Sequence, residues 1–201
     1  MSRLGVLGGT FNPIHKGHIE LGKYCMDSVS LDKIILIPTY SPPHKSDSGL
    51  ESCAHRLEMC RLTAQNHPGF CVSDIEIKRG GKSYTYETLN SLKEIYSNDE
   101  LFLIMGADMF LTLDKWKNPE SIFKNASVIT IPRNNDDKHA LDEFYASVLK
   151  PMGAKAYILS DPVTQVSSTY IREHIGEKEK IEDLLDLNVL DYIINNNLYR
   201  K

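Results

Sequence analysis

Residues 4–22 read Leu-Gly-Val-Leu-Gly-Gly-Thr-Phe-Asn-Pro-Ile-His-Lys-Gly-His-Ile-Glu-Leu-Gly, and they constrain the fold more than any other stretch. A short apolar run enters a Gly-Gly-Thr turn, and a His-x-Gly-His step then opens a segment with helical spacing. Strand, turn and helix in that order suit the phosphates of a nucleotide. Gly8 and Gly9 lack side chains, so the backbone can turn sharply and bring its N–H groups close to an anion. The N-terminus of the helix adds the positive end of its dipole. His15 and His18 stand three apart, and on a helix they project from one face toward one pocket. A zinc site would need a third ligand at metal-site spacing, which the motif does not offer.

Beyond this segment, apolar β-rich runs alternate with amphipathic helical stretches, the pattern of a parallel sheet covered on both faces. The expected strands are residues 3–7, 33–38, 71–77, 101–105, 127–131 and 154–159. The expected helices are 16–28, 52–66, 85–96, 107–113, 139–149, 169–175 and 189–195. With no repeats, low-complexity tracts or linker-like shifts, residues 1–201 read as one domain. The fold class is α/β, a doubly wound, Rossmann-like parallel sheet with a helical C-terminal end. Ligands of such sheets sit beyond the carboxyl ends of the strands. The loops containing Ser41-Pro42-Pro43-His44-Lys45 and Lys78–Tyr86 should therefore border the same crevice as Gly8 and Gly9.

A second phosphate motif lies at Val166-Ser167-Ser168-Thr169-Tyr170-Ile171-Arg172. Consecutive hydroxyls before an apolar-periodic stretch mark a helix N-cap, here assigned to Ser168. The Ser168 and Thr169 hydroxyls would face outward at the helix start, with Arg172 one turn on and on the same side. Neutral donors, a dipole and a guanidinium fork would then surround one anion. Two helix N-termini on one crevice can hold a triphosphate between them.

Charge and cysteine content narrow the class. The chain carries 23 basic and 27 acidic residues, a net charge of −4. A general nucleic-acid binder should show a basic excess instead. No apolar stretch approaches membrane-spanning length, and the start lacks the basic and apolar regions of a signal peptide. Cys25, Cys53, Cys60 and Cys71 form no Cys-x-x-Cys pair, and Cys53, Leu57 and Cys60 fall at the spacing of a helix core. Reduced thiols and a cytoplasmic location follow. The sequence leaves a homo-oligomer open.

Gly8-Gly9-Thr10-Phe11-Asn12-Pro13-Ile14-His15-Lys16-Gly17-His18 resembles the first signature of the nucleotidyltransferase superfamily that uses His-x-Gly-His, and Ser167-Ser168-Thr169-Tyr170-Ile171-Arg172 resembles its second. Pro42-Pro43-His44-Lys45, Lys82-Ser83-Tyr84-Thr85, Gly106-Ala107-Asp108, Trp116, Arg133 and Val189-Leu190-Asp191-Tyr192-Ile193 are similar to motifs of bacterial-type nicotinate-nucleotide adenylyltransferases. The resemblance runs through nearly the whole chain in order. It implies transfer of an adenylyl group from ATP to nicotinate mononucleotide, with Mg²⁺ carried on the phosphates and few or no protein ligands of its own. It also implies that Gly8, Gly9, Thr10, Phe11, Gly106 and Asp108 border ATP. His15 and His18 would hold its phosphate oxygens, His18 nearest the reacting group, and Ser168, Thr169 and Arg172 would grip the departing β- and γ-phosphates. Trp116 would lie against the pyridine ring, with Tyr84 and Thr85 by the nicotinate carboxylate. Lys45 and Arg133 would meet the mononucleotide's negative charges, and Asp108 its ribose hydroxyls. Arg133 is followed by Asn134-Asn135-Asp136-Asp137 where the family has Pro-Gly, a departure that bears on its reach. Pantetheine-phosphate adenylyltransferase, an amide-preferring adenylyltransferase, a cytidylyltransferase and a non-catalytic nucleotide sensor remain the alternative readings. A dehydrogenase is disfavoured, because no Gly-x-Gly-x-x-Gly follows the first strand.

Overall fold

The computed structural model describes residues 1–42, 49–132, 135–160 and 166–200, with the side chains of residues 135 and 136 left aside. The chain begins β1 (Arg3–Gly9), α1 (Lys16–Val29), β2 (Lys33–Pro38), α2 (Cys53–Asn66) and β3 (Phe70–Val72). It continues with α3 (Ile75–Arg79), α4 (Thr85–Ile95), β4 (Glu100–Gly106) and α5 (Ala107–Phe110). A 3-10 turn at Leu113–Lys115 leads to α6 (Pro119–Asn125), β5 (Ala126–Ile131) and α7 (Asn135–Phe144). A π-helical turn (Tyr145–Leu149), β6 (Ala156–Ile158), α8 (Ser168–Glu173), α9 (Lys178–Ile181), a further 3-10 turn and α10 (Leu187–Asn195) complete it.

All strand pairs are parallel and the sheet order is β3-β2-β1-β4-β5-β6. This is the doubly wound order in which the direction of strand addition reverses between β1 and β4, so a crevice opens beyond their carboxyl ends. Strand residues alternate between two cores. Leu7, Ile34, Leu36, Phe102 and Ile104 pack with α1, α2, α8 and α10, through Ile19, Met59, Ile171 and Val189. Leu4, Val6, Ile35, Ile37, Leu103 and Met105 face Leu89, Leu92, Phe110 and Ile122 on the other side. Helices on both faces explain the unbroken apolar run Ile34–Ile37, which alternation alone would not call for.

One expected strand is corrected. Residues 71–77 do not continue as β; the strand closes at Val72 and α3 follows. Isoleucines at 75 and 77 mimic a period of two, but Lys78 N–H donates to Asp74 O at 2.8 Å and Gly80 N–H to Glu76 O at 3.0 Å, closing a helical turn. Gly80 and Gly81 then leave it with φ of +66° and +69°, a region that favours glycine. The helix expected at 139–149 begins earlier, at Asn135, and its final turn is π-helical. Helices α6 and α9 were not expected. The four cysteines are free, and burial pushes the Cys25 thiol up to about 12 and Cys60 higher still, so neither is a reactive thiolate.

Candidate active site

A cleft of ≈ 980 Å³ lies at the switch point. Leu7, Gly8, Gly9 and Thr10 at the end of β1 and Met105 and Gly106 at the end of β4 form its floor. His18 and Leu21 of α1, Thr39 and Pro42 after β2, and Tyr84 and Thr85 at the start of α4 wall it. Trp116, Lys115 and Lys117 close the far side. A Cβ on Gly8 would meet no atom within 4 Å, whereas one on Gly9 would reach the Phe11 ring at 3.2 Å. The Phe11 side chain is buried, with backbone φ of +46°, and does not line the cleft. Its ring sits edge-on to His18 at 5.0 Å and so supports the turn from beneath.

The two histidines divide their work. His15 is the N-cap of α1 and is only 8% exposed, while His18 reaches the cleft. Their rings stack with centroids 3.7 Å apart. His15 is thus buried directly against the ring that enters the cleft. The His15 N–H donates to His18 Nδ1 at 3.2 Å, which makes Nδ1 an acceptor and leaves the ring proton on Nε2. Burial lowers the His15 pKa to about 4. Burial, and then the neighbouring His15, hold His18 well below its ordinary value. Two stacked rings in a desolvated pocket thus stand as neutral imidazoles, and His18 offers a neutral N–H donor.

The second motif is bonded to the first. Ser167, not Ser168, caps α8, its Oγ accepting from Tyr170 N–H at 3.4 Å. Ser168 stands at the first helical position and its hydroxyl donates to Pro13 O at 2.9 Å. The Arg172 guanidinium donates to Asn12 O at 2.8 Å and to Thr169 Oγ1 at 3.1 Å, so two of its five N–H groups are engaged. Ser168, Thr169 and Arg172 stand beside the cleft rather than in its wall. A Cβ on Gly17 would lie 3.1 Å from Val166 Cβ, which shows how closely the starts of α1 and α8 meet. Asn12, 3% exposed, holds the junction. Its Nδ2 donates to Gly49 O at 2.9 Å, and its Oδ1 accepts from Glu51 N–H at 3.1 Å and from the Tyr199 hydroxyl at 3.0 Å.

Comparison with known proteins bears directly on this arrangement. Residues 6–174 match the family model described as cytidylyltransferase-like. A protein of Carboxydothermus hydrogenoformans, named probable nicotinate-nucleotide adenylyltransferase, is 36% identical over 199 residues, covering 99% of this chain and 98% of its own. One of Citrifermentans bemidjiense with the same name is 39% identical over 211 residues, covering 98% of each chain. This chain belongs to the nicotinate-nucleotide adenylyltransferase family. Its fold is shared with the Plasmodium falciparum nicotinic acid mononucleotide adenylyltransferase complexed with APC, with a TM-score of 0.76 over 99% of this chain and 98% of that one, at 21% identity.

Of the residues that the adenylyltransferase resemblance singles out, Tyr84, Thr85 and Trp116 share the cleft wall. Trp116 is half-buried and its Nε1–H donates to Thr112 Oγ1 at 3.4 Å. Asp108 is exposed in the first turn of α5, two residues past Gly106. Lys45 and Arg133 lie outside the described residues. Motif reading missed several groups. Lys117 Nζ lies 4.0 Å from the Tyr84 ring centroid, a cation in the same wall. Glu76 is 6% exposed, and its Oε1 accepts from Thr88 Oγ1 at 2.7 Å. Burial raises its pKa, against hydrogen bonds from Ser83, Thr88 and Thr39 and the charge of Arg79. Arg56 is also buried. Among the described residues no three His, Cys, Asp or Glu side chains cluster as a metal site, and no helix is long and apolar enough to cross a membrane.

Proposed function

We propose that this protein transfers the adenylyl group of ATP to nicotinate mononucleotide, forming deamido-NAD and pyrophosphate. The observation that carries the reading is the joining of two anion-binding turns at one cleft. Arg172 and Ser168 bond to the Asn12 and Pro13 carbonyls, next to the glycine turn and His18. That cleft also contains an aromatic wall, Tyr84 and Trp116, suited to a pyridine ring.

The mononucleotide phosphate attacks the α-phosphorus in line and pyrophosphate leaves on the opposite side. A phosphate monoester is nucleophilic at neutral pH, so no base and no covalent intermediate is required. Positioning and charge stabilisation carry the catalysis. His18 donates Nε2–H to the reacting phosphoryl group, with His15 fixing its tautomer. Arg172, Thr169 and Ser168 hold the β- and γ-phosphates, and Gly8, Gly9, Thr10 and Gly106 let the nucleotide approach the backbone. Asp108 accepts from ribose, and Lys45 and Arg133 meet the mononucleotide's charges. Mg²⁺ would arrive with the nucleotide as MgATP. Bound to the phosphate oxygens, it would neutralise their charge. The reaction runs in the cytoplasm, in a single catalytic domain of residues 1–201 that needs neither nucleic acid nor membrane.

The choice of acid over amide tests the reading. Backbone N–H donors at Tyr84 and Thr85 satisfy a carboxylate, which only accepts. The carboxamide's NH₂ would face donors, at a cost of about 1–3 kcal/mol per buried mismatch. The ratio of kcat/KM for nicotinate over nicotinamide mononucleotide, at saturating MgATP, is expected to be at least roughly tenfold. Equal use of both, or preference for the amide, overturns the deamido assignment.

A further inference from the structure

Arg56 lies on the inner face of α2 and is 2% exposed, yet it belongs to neither phosphate motif. Its Nε donates to Glu51 O at 3.0 Å, its Nη1 to Thr10 O at 2.8 Å and Thr39 O at 2.6 Å, and its Nη2 to Tyr40 O at 3.2 Å. A guanidinium withdrawn from water is tolerated only where carbonyls replace its hydration. Here one carbonyl, Glu51 O, lies just before α2, and the other three come from the turn after β1 and from the exit of β2, both at the rim of the cleft. Across a trans peptide, the C=O of one residue and the N–H of the next point in opposite directions. Holding the Thr10 carbonyl toward α2 therefore turns the Phe11 N–H away from α2. The same geometry is visible at Thr39, where the opposed Tyr40 N–H donates to Ser83 Oγ at 3.1 Å. A cation on the carbonyl side also polarises each peptide and strengthens its N–H as a donor.

We infer that Arg56 is a positioning residue for adenylyl transfer: from behind the cleft it fixes the direction, and raises the donor strength, of the Phe11 N–H at the anion-binding turn and of the peptides at the β2 exit. The inference rests on the proposed reading of the site. Lysine at this position keeps the charge, but a compact ammonium with three donors cannot span the same carbonyls. In Arg56→Lys the KM for MgATP is expected to rise and kcat to fall, together lowering kcat/KM for MgATP roughly tenfold or more. The KM for the mononucleotide should move less than about threefold. Thermal unfolding measured beside the kinetics separates this from a purely structural role. A folded variant whose kinetic constants all stay within about twofold of the parent overturns the inference, as does one that loses stability while its folded fraction turns over normally. Should Arg56→Lys fail to fold, amide NMR of the parent protein decides. Titration with α,β-methylene ATP should move the Phe11 N–H resonance downfield while the Arg56 Nε–H stays protected from exchange. No shift at Phe11, or a fast-exchanging Arg56 Nε–H, refutes it. Pyrophosphate release by the parent protein, measured first, tests the proposed reaction independently of Arg56.

Discussion

In the proposed reaction His18 is the donor at the reacting phosphoryl group, and His18→Ala removes it. In the parent protein the ring is fixed on three sides: by the His15 N–H at 3.2 Å, the His15 ring at 3.7 Å and the Phe11 ring at 5.0 Å. The imidazole is neutral, so what is lost is an oriented N–H and not a charge. Removing one such donor slows a transferring enzyme by about 10²–10³-fold, or about 3–4 kcal/mol. Folding suffers less. The orphaned His15 N–H costs about 1 kcal/mol and the lost ring contacts about another. Together these lower Tm by about 4–8 °C for a chain of this size. The assay is initial-rate pyrophosphate release at saturating MgATP and mononucleotide, with ATP affinity measured separately. ATP binding should weaken far less than kcat falls, because the bond strengthens as charge develops in the transition state. His18→Gln, which carries an amide N–H₂ at about the reach of Nε2, should recover part of the loss. A folded His18→Ala protein within about threefold of parental kcat removes His18 from the catalytic step.

Two further outcomes follow from the same geometry. The His15 pKa falls from 6.5 to about 4, so on acidification the unfolded chain takes up a proton that the fold refuses. Stability from this group is complete above about pH 6.5 and declines below it, reaching a loss of about 2–3 kcal/mol near pH 4.5. Urea unfolding of the parent and His15→Asn at about pH 7.5 and about pH 4.5 should show the smaller drop in the variant, and equal drops refute this. Arg172→Lys can satisfy Asn12 O or Thr169 Oγ1 but not both while gripping phosphate, so ATP affinity and transfer rate should each fall several-fold or more. Unchanged kinetics would leave α8 as a plain capped helix beside the cleft.

Much of this fold is legible in the sequence because the relevant signals are local. β1, β2, β4 and β5 are apolar runs closed by Gly, Pro or a polar turn, and their bounds differ by two residues or fewer from those the pattern predicts. Other signals failed for definable reasons. At Ile75–Arg79 two isoleucines at i, i+2 match a strand, but the backbone closes a helical turn through Asp74 O and Glu76 O, with the buried Glu76 carboxyl accepting from the Thr88 hydroxyl on α4. The capping serine was misplaced by one, since Ser167 and Ser168 are chemically equivalent until Pro13 O claims the second hydroxyl. Arg56 did leave a trace. Positions 56, 59, 60 and 63 share one helix face, and Met59, Cys60 and Thr63 are all buried there. An arginine on that face must find carbonyls, but which ones only the fold can say.

The bonds that assemble the site span nearly the whole chain. Ser168 to Pro13 crosses 155 positions, Arg172 to Asn12 crosses 160 and Tyr199 to Asn12 crosses 187. A phosphate-binding turn made of glycines has little rigidity of its own, since glycine loses more conformational freedom on ordering than any other residue. Its direction is therefore set from outside. Arg56 holds it from α2, Arg172 and Ser168 from α8, and Tyr199 from the C-terminal segment, each through a carbonyl or the side-chain amide of residues 10–13. Burial holds His15 and His18 neutral, and Arg172 gives two of its N–H groups to Asn12 O and Thr169 Oγ1, so in the proposed site the strength of each donor depends on its orientation. In the proposed mechanism, precise positioning of a neutral N–H in a partly desolvated cleft lets it favour the transition state over the ground state. In the proposed reaction, adenylyl transfer therefore depends on the braces behind residues 8–18 as well as on the groups that face the substrate.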